Sequence, residues 1–280
     1  MNRTYAEILL AGVIISRSTA FLFSKIGLAS MNPLNLLAVR FGFAFIVLVL
    51  LFRKKLLQAT RKEVGDGCIL GIIFTAVMAA EMYALKITDI STTSFLENTA
   101  IMMVPLMEAC ALRQLPKGRT LFSCALALAG VGFLTLRGGM GFGYGEALCM
   151  VAAVLYALSI VLTGRYARQG DPLLVGIFQV GTMGALSLLA AAIFEAPRLP
   201  ATLTEWSVIL LLSLVCTCFG FTLQPVAQRY IPSERAAQFC AINPLSVAVM
   251  GAIFMGDSLG LYGMLGGILI VGAIVLQNAK

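Results

Sequence analysis

The residues able to do chemistry in this sequence are charged groups set inside apolar runs. Arg17 interrupts VIISRSTAFLFSK between two serines, and Arg40 sits within AVRFGFAF. Glu81 lies among Met78, Met82 and Tyr83, while SFLENTAIMMVP carries Glu97 and Asn98 with Glu108 a few residues on. A guanidinium keeps its proton and offers a planar fork of donors. Arg17 therefore suits either an anionic group of a bound solute or a structural pairing with Glu81 or Glu97. Glu81 is the candidate for proton coupling, because burial and a neighbouring cation act on a carboxyl in opposite senses; the alternative is a fixed counterion. Ser18, Tyr156, Gln224, Gln238 and Asn243 add neutral hydrogen-bonding groups that either join helices or meet a solute.

Other chemistries find no support. The chain has no histidine, which removes Ser/His and Cys/His catalysis, and its seven cysteines contain no CxxC spacing for a metal. The stretch GGMGFGYG lacks a preceding strand and a following Lys-Ser/Thr, so it reads as a linker, not a phosphate cradle. No catalytic residue, metal or cofactor is expected.

Hydrophobic residues make up 60% of the 280-residue chain and charged residues 12%, with a mean hydropathy of +0.95. A soluble domain cannot bury so much apolar surface, so the elements that position these charges are membrane helices, surrounded by lipid. The net charge of +7 lies mostly in short connections. It therefore reads as topology and gives no reason to expect nucleic acid. Apolar runs of about 20 residues fall at 6–28, 34–52, 67–85, 93–112, 119–136, 146–164, 173–194, 206–226, 235–255 and 259–277. Breakers separate them, among them MNP, LPKG, QGDP, APRLP and GDSLG. MNRTYAEILLAGVII has the look of a signal peptide, but it has a counterpart in the second half and is kept as the first segment. The amino terminus, the even-numbered connections and the carboxyl terminus hold fourteen Lys and Arg; the odd-numbered connections hold three. Both termini are accordingly expected in the cytoplasm.

Sliding the chain against itself reveals a repeat. An offset of 139 aligns Glu7 with Glu146, Arg17 with Tyr156 and Arg40 with Gln179; an offset of 143 aligns Glu81 with Gln224 and Ile101 with Pro244. Five segments per half is an odd number, so the halves, 1–138 and 139–280, must enter the membrane from opposite sides. The predicted architecture is all-α, with ten membrane helices in two inverted repeats about a midplane site.

STAFLFSKIGL, AVRFGFAF, YALKITDISTTSFLENTAIMMVP, ALALAGVGFLTL, LYALSIVLTGRYA and the stretch from AQRYIPSERAAQFCAINP to GGILIVGA resemble the ten-helix EamA-type branch of the drug/metabolite transporter superfamily. The resemblance covers essentially the whole chain. It implies ten helices around a central cavity lined by segments one, three, four, six, eight and nine, and export or import of small organic solutes; a secondary transporter exporting solutes such as amino acids or drug-like molecules from a bacterial inner membrane is the leading expectation. It also implies that segments five and ten act as scaffold or dimerisation elements of a monomer or homodimer. Two departures stand out: Arg17 and Ser18 replace the usual Trp-Gly ahead of Lys25, and Asp257 takes the place of the Glu that commonly ends segment nine, with Gln114 as its equivalent in the first half. A membrane scaffold or a lipid-modifying intramembrane enzyme are the alternatives; the latter lacks a metal cluster or a nucleophile with its base.

A charge at mid-membrane costs about 2.5 to 3.5 kcal/mol, so each should face a cavity or a partner. Lys25 is expected to anchor segment one at the interface, and Arg40 to join helices. Glu97 and Glu108 would share a face on an unbroken helix. Pro105 and Pro244 are expected to interrupt segments four and nine, one turn out of register with each other. Gly130, Gly132, Gly263, Gly266, Gly267 and Gly272 should allow segments five and ten to approach closely.

Overall fold

The computed structural model describes residues 2–88, 90–113, 116–135, 143–246 and 260–278, and every regular element among them is helical. In order these are α1 (Arg3–Leu28), α2 (Pro33–Leu56), α3 (Arg61–Ile87), α4 (Ile90–Asn98), α5 (Ala100–Leu112), α6 (Gly118–Thr135), α7 (Tyr144–Gln169), α8 (Pro172–Phe194), α9 (Leu203–Gln228), α10 (Ser233–Phe239) and α11 (Gly260–Asn278). Residues 242–246 are helical again after a turn at 240–241. Six helices, α1, α2, α3, α7, α8 and α9, are long and apolar enough to cross a membrane, and α6 and α11 hold shorter apolar stretches. The protein is a multi-pass membrane protein. Gln114, most of the GGMGFGYG linker with the boundary between the halves, residues 247–255 of segment nine and Asp257 lie outside the described residues.

Short sequence signals set the helix starts. Thr60 and Glu63 form a capping box at the head of α3: Thr60 Oγ1 accepts from Glu63 N and Glu63 Oε2 accepts from Thr60 N at 2.8 Å. The same T-x-x-E pattern opens α9, where Thr202 Oγ1 accepts from Glu205 N at 3.2 Å. Pro33 and Pro172 take the first helical position of α2 and α8, where a missing N–H costs nothing.

Polar contacts gather the helix ends into two groups, and each group unites connections that the sequence places on one side. At one end Glu63 Oε1 accepts from Asp171 N at 2.7 Å, Lys55 pairs with Asp171 at 2.7 Å, and Arg168 donates to the Ile231 carbonyl at 3.1 Å. Burial tends to raise the Asp171 carboxyl, but the Lys55 ammonium and the Leu173 and Leu174 N–H groups outweigh it and hold the group below its ordinary value. At the other end Glu195 accepts from Leu34 N, Asn35 N and Tyr83 Oη at 2.8 to 3.1 Å, so a carboxylate caps the start of α2. Arg198 forms a bidentate pair with Glu205 at 2.7 and 2.9 Å and donates to the Ser30 carbonyl; the Glu205 partnership holds its guanidinium above the ordinary value.

The main core unites α1, α2, α3, α7, α8 and α9. There α2 lies along α8, α3 touches both α7 and α8, and α1 lies against α9. A smaller cluster, including Ile101, Cys124, Ala127, Ile270 and Ala273, packs α6 and α11 to one side. Gly130 makes that approach possible, because a Cβ there would lie 2.8 Å from the Gly266 carbonyl oxygen.

Three expectations are corrected. Segment four is not one helix: it breaks at Thr99, whose hydroxyl donates to the Leu96 carbonyl at 2.6 Å while its N–H makes a tight i to i−3 bond to the same oxygen. Glu97 and Glu108 therefore do not share a continuous helical face. The break precedes Pro105, which lies inside α5, and segment nine turns at 240–241, ahead of Pro244. Proline at 244 cannot bond the Cys240 carbonyl four residues back, and that oxygen instead accepts from Asn243 N at 2.9 Å. Under the offset of 143 Thr99 aligns with Ile242, one residue past the turn at 240–241, so the two breaks lie within one or two residues of each other and are displaced by less than a turn.

Candidate functional site

The π-helical stretch Leu212–Phe221 inside α9 organises the site. Such stretches are uncommon, and widening a helix re-aims its side chains. Thr217 Oγ1 donates to the Leu212 carbonyl, five residues back, and accepts from Arg40 Nε at 2.9 Å, while Ser213 Oγ donates to the Arg40 carbonyl. On the other flank Ser16 Oγ donates to the Val215 carbonyl at 2.7 Å, fastening α1 to the same stretch. Two arginines from different helices are thereby brought to one place.

Arg17 and Arg40 line a cavity of about 30 Å³ with Glu81, Glu97, Asn98, Tyr156 and Asn243. Ile14, Ala20, Phe21, Met78, Phe221 and Cys240 supply its remaining walls. Arg17 Nη1 donates to Gln224 Oε1 at 2.5 Å, and its guanidinium carbon lies 4.2 Å from the Phe221 ring centre and 5.6 Å from that of Tyr156. The Phe221 ring is also 5.9 Å from the Arg40 guanidinium, so its electron-rich face serves both cations. Phe221 is held edge-on by Phe41 and Phe74, and Phe74 meets Tyr156 in turn. Gly220 leaves room for Arg17 to cross α9: a Cβ there would fall 2.6 Å from Arg17 Cγ.

The sequence candidates divide. Arg17, Glu81, Glu97, Asn98, Tyr156 and Asn243 share the cavity. Gln224 stands behind it as the partner of Arg17. Ser18 turns onto its own helix and donates to the Ile14 carbonyl, and Gln238 donates to Ser123 Oγ at 2.5 Å, joining α10 to α6. Among the described residues no ion pair within 4.0 Å joins Arg17 to Glu81 or Glu97, so the direct structural pairing is not formed. Arg40, expected to join helices, does so through Thr217 on α9 and in addition lines the cavity at 1% exposure; its depth within segment two was the available signal for the second role. Lys25 donates to the carbonyls of Leu85 and Thr88, capping the end of α3.

A volume of 30 Å³ admits a water molecule but no organic solute, whose pockets run to about 300 Å³ or more. The arrangement has two fixed cations, two acids, aromatic walls and helix breaks beside Asn98 and Asn243. It can recognise a charged or zwitterionic molecule only when the helices part.

A bundle of apolar helices around a buried charged cavity defines a polytopic membrane protein with an internal polar site. The sequence pattern of the EamA-like transporter family matches residues 4–136 and again 143–279, and the chain belongs to that family. It is similar to two uncharacterized transporters of Archaeoglobus fulgidus, at 26% identity over 98% of this chain and 97% of the relative, and at 24% over 100% and 88%. It is also 24% identical, over 62% of its length and 60% of the relative's, to the uncharacterized transporter YcbK of Bacillus subtilis. A crystal structure of 18% identity superposes with a TM-score of 0.81 over 99% of this chain and 97% of the other, a likeness of fold.

Proposed function

We propose that this chain is a secondary transporter that exports a small organic metabolite across the cytoplasmic membrane of a prokaryotic cell by alternating access. The carrying observation is the buried cavity in which Arg17, Arg40, Glu81 and Glu97 meet, built from both halves of the chain. Charges are costly at that depth and persist where a ligand or ion uses them. Ten crossings in two inverted repeats, 1–138 and 139–280, are supported by the double family match and by the pairing of cavity residues under the repeat offsets. Arg17 with Tyr156, Met78 with Phe221, and Glu97 with Cys240 are aligned pairs that line the same space. The excess of Lys and Arg in the even-numbered connections supports cytoplasmic termini.

In this reading Arg17 binds an anionic group of the solute and exchanges Gln224 for it as the site opens. Glu81 is the coupling acid, its aligned partner being the neutral Gln224. The test is flux in reconstituted vesicles with pooled amino acids and cationic dyes, the protein inserted in known orientation. Solute-dependent flux lost in Arg17→Ala supports the reading; flux equal to that of empty vesicles overturns it. Glu81→Gln should abolish the response to an imposed proton gradient, and an unchanged response removes Glu81 as the coupling group.

A further inference from the structure

Three residues that line the cavity each carry a buried oxygen with no hydrogen-bond donor among the described residues: Glu97 Oε2, Asn98 Oδ1 and Asn243 Oδ1. Each is buried, and the Glu97 and Asn98 residues are only 5% and 3% exposed. Unmatched buried acceptors are costly and uncommon, and three on residues lining one small space call for a common explanation. The orientation of Asn98 follows from its surroundings, because its Nδ2 already donates to the Ser94 carbonyl at 2.7 Å and leaves Oδ1 as the free end. Glu97 and Asn98 also form the carboxyl end of α4, where the partial negative charge of a helix terminus favours a cation. Asn243 comes from the opposite half of the chain, just after the turn at 240–241.

We propose that Glu97, Asn98 and Asn243 form a subsite for a primary ammonium group. An ammonium carries three N–H donors and one positive charge, which matches three acceptors, one of them a carboxyl oxygen, beside a helix carboxyl end. A guanidinium or a quaternary ammonium does not match. The first is a flat fork, and the second has no N–H to give. Arg17 provides the opposite pole, so an amine alone would use one pole and an amino acid both. This assignment rests on the cavity being the solute site and adds the chemistry of its second pole.

The test is direct binding to the purified full-length protein in detergent, by calorimetry and thermal shift, independent of any flux. Four probes separate the poles: L-leucine, its decarboxylated amine isoamylamine, its deaminated acid 4-methylpentanoate, and N,N,N-trimethyl-leucine. Leucine and isoamylamine should bind, trimethyl-leucine should bind at least about tenfold more weakly than leucine, and Glu97→Gln should weaken both amines by a similar factor while leaving the acid unchanged. Asn243→Leu, on a different element, should act in the same sense, and unchanged melting of the ligand-free variants shows that folding is retained. Arg17→Ala should weaken leucine and the acid but spare isoamylamine. Equal binding of the trimethyl compound, no binding of either amine at millimolar concentration, or a site that answers to sodium and not to amines overturns the subsite. Amine binding without vesicle flux would sink the transporter reading alone, and flux of solutes lacking an ammonium, unaffected by Glu97→Gln, would sink the subsite alone.

Discussion

Arg17 and Gln224, 207 residues apart in sequence, meet in a 2.5 Å hydrogen bond at the edge of the buried cavity. Gln224 is the residue that the repeat offset aligns with Glu81, so one half offers Arg17 a neutral amide where the other carries an acid. Neutrality matters here. An amide orients the guanidinium without cancelling its charge, which leaves Arg17 able to attract an anionic group.

Gln224→Glu should therefore tie Arg17 into a buried ion pair and weaken binding of carboxylate-bearing solutes by about tenfold or more. Binding of 4-methylpentanoate by calorimetry measures this, and unchanged affinity would show that Gln224 only fills space.

Gly220→Ala would press a methyl against Arg17 Cγ and Cδ, at 2.6 and 3.2 Å, and the arginine would have to leave its position over Phe221. The same solute should bind several-fold more weakly. Gly12→Ala, a position on α1 with nothing within 4 Å of the added carbon, should bind normally and melt no lower.

Arg235 is buried at the start of α10, with its Nε 2.7 Å from Glu7 Oε1, an ion pair by distance that lacks the alignment of a hydrogen bond. Its two Nη atoms have no acceptor among the described residues. Removing Glu7 strands a buried cation, so Glu7→Gln should cost about 3 kcal/mol, whereas the double change Glu7→Leu with Arg235→Met should recover most of it. Melting in detergent decides; equal melting of the single and double variants would show that the pair is not coupled.

The Asp171 carboxyl is held below its ordinary value by Lys55 and the start of α8. The sign follows: its contribution is fully present above the unfolded value of about 3.9 and fades as pH falls through the lower folded value. Asp171→Asn keeps a good helix cap while removing the charge. It should lower stability near neutral pH by no more than about 1 kcal/mol, the pair being half exposed, and the difference from the parent should vanish in strong acid. Melting temperatures across that range provide the check.

Much of the helical framework was legible because apolar runs of membrane-spanning length end at prolines and glycines that leave a physical mark. The run expected at 34–52 is α2, entered at Pro33, and that at 173–194 is α8, entered at Pro172. The break in segment nine falls in the turn ahead of Pro244, as a missing N–H requires, but that in segment four was not placed correctly from Pro105. It depends on which carbonyl a threonine hydroxyl can reach, a competition decided over one turn. Ser18 follows Arg17 directly, yet one step rotates a helical side chain by about 100 degrees, enough to take it from the cavity to its own backbone.

By itself the sequence determined the solvent, the apolar runs, the twofold repetition and the short roster of charges lying too deep to be solvated by water. Those properties belong to residue types and spacing along one chain. Which charges share a cavity, that Arg40 joins Arg17 there, and that Gln224 and not a carboxylate holds Arg17 were decided by tertiary structure. The physical reason is rotation: depth along a helix can be counted from its ends, but the direction a side chain faces is set by packing against helices far away in sequence.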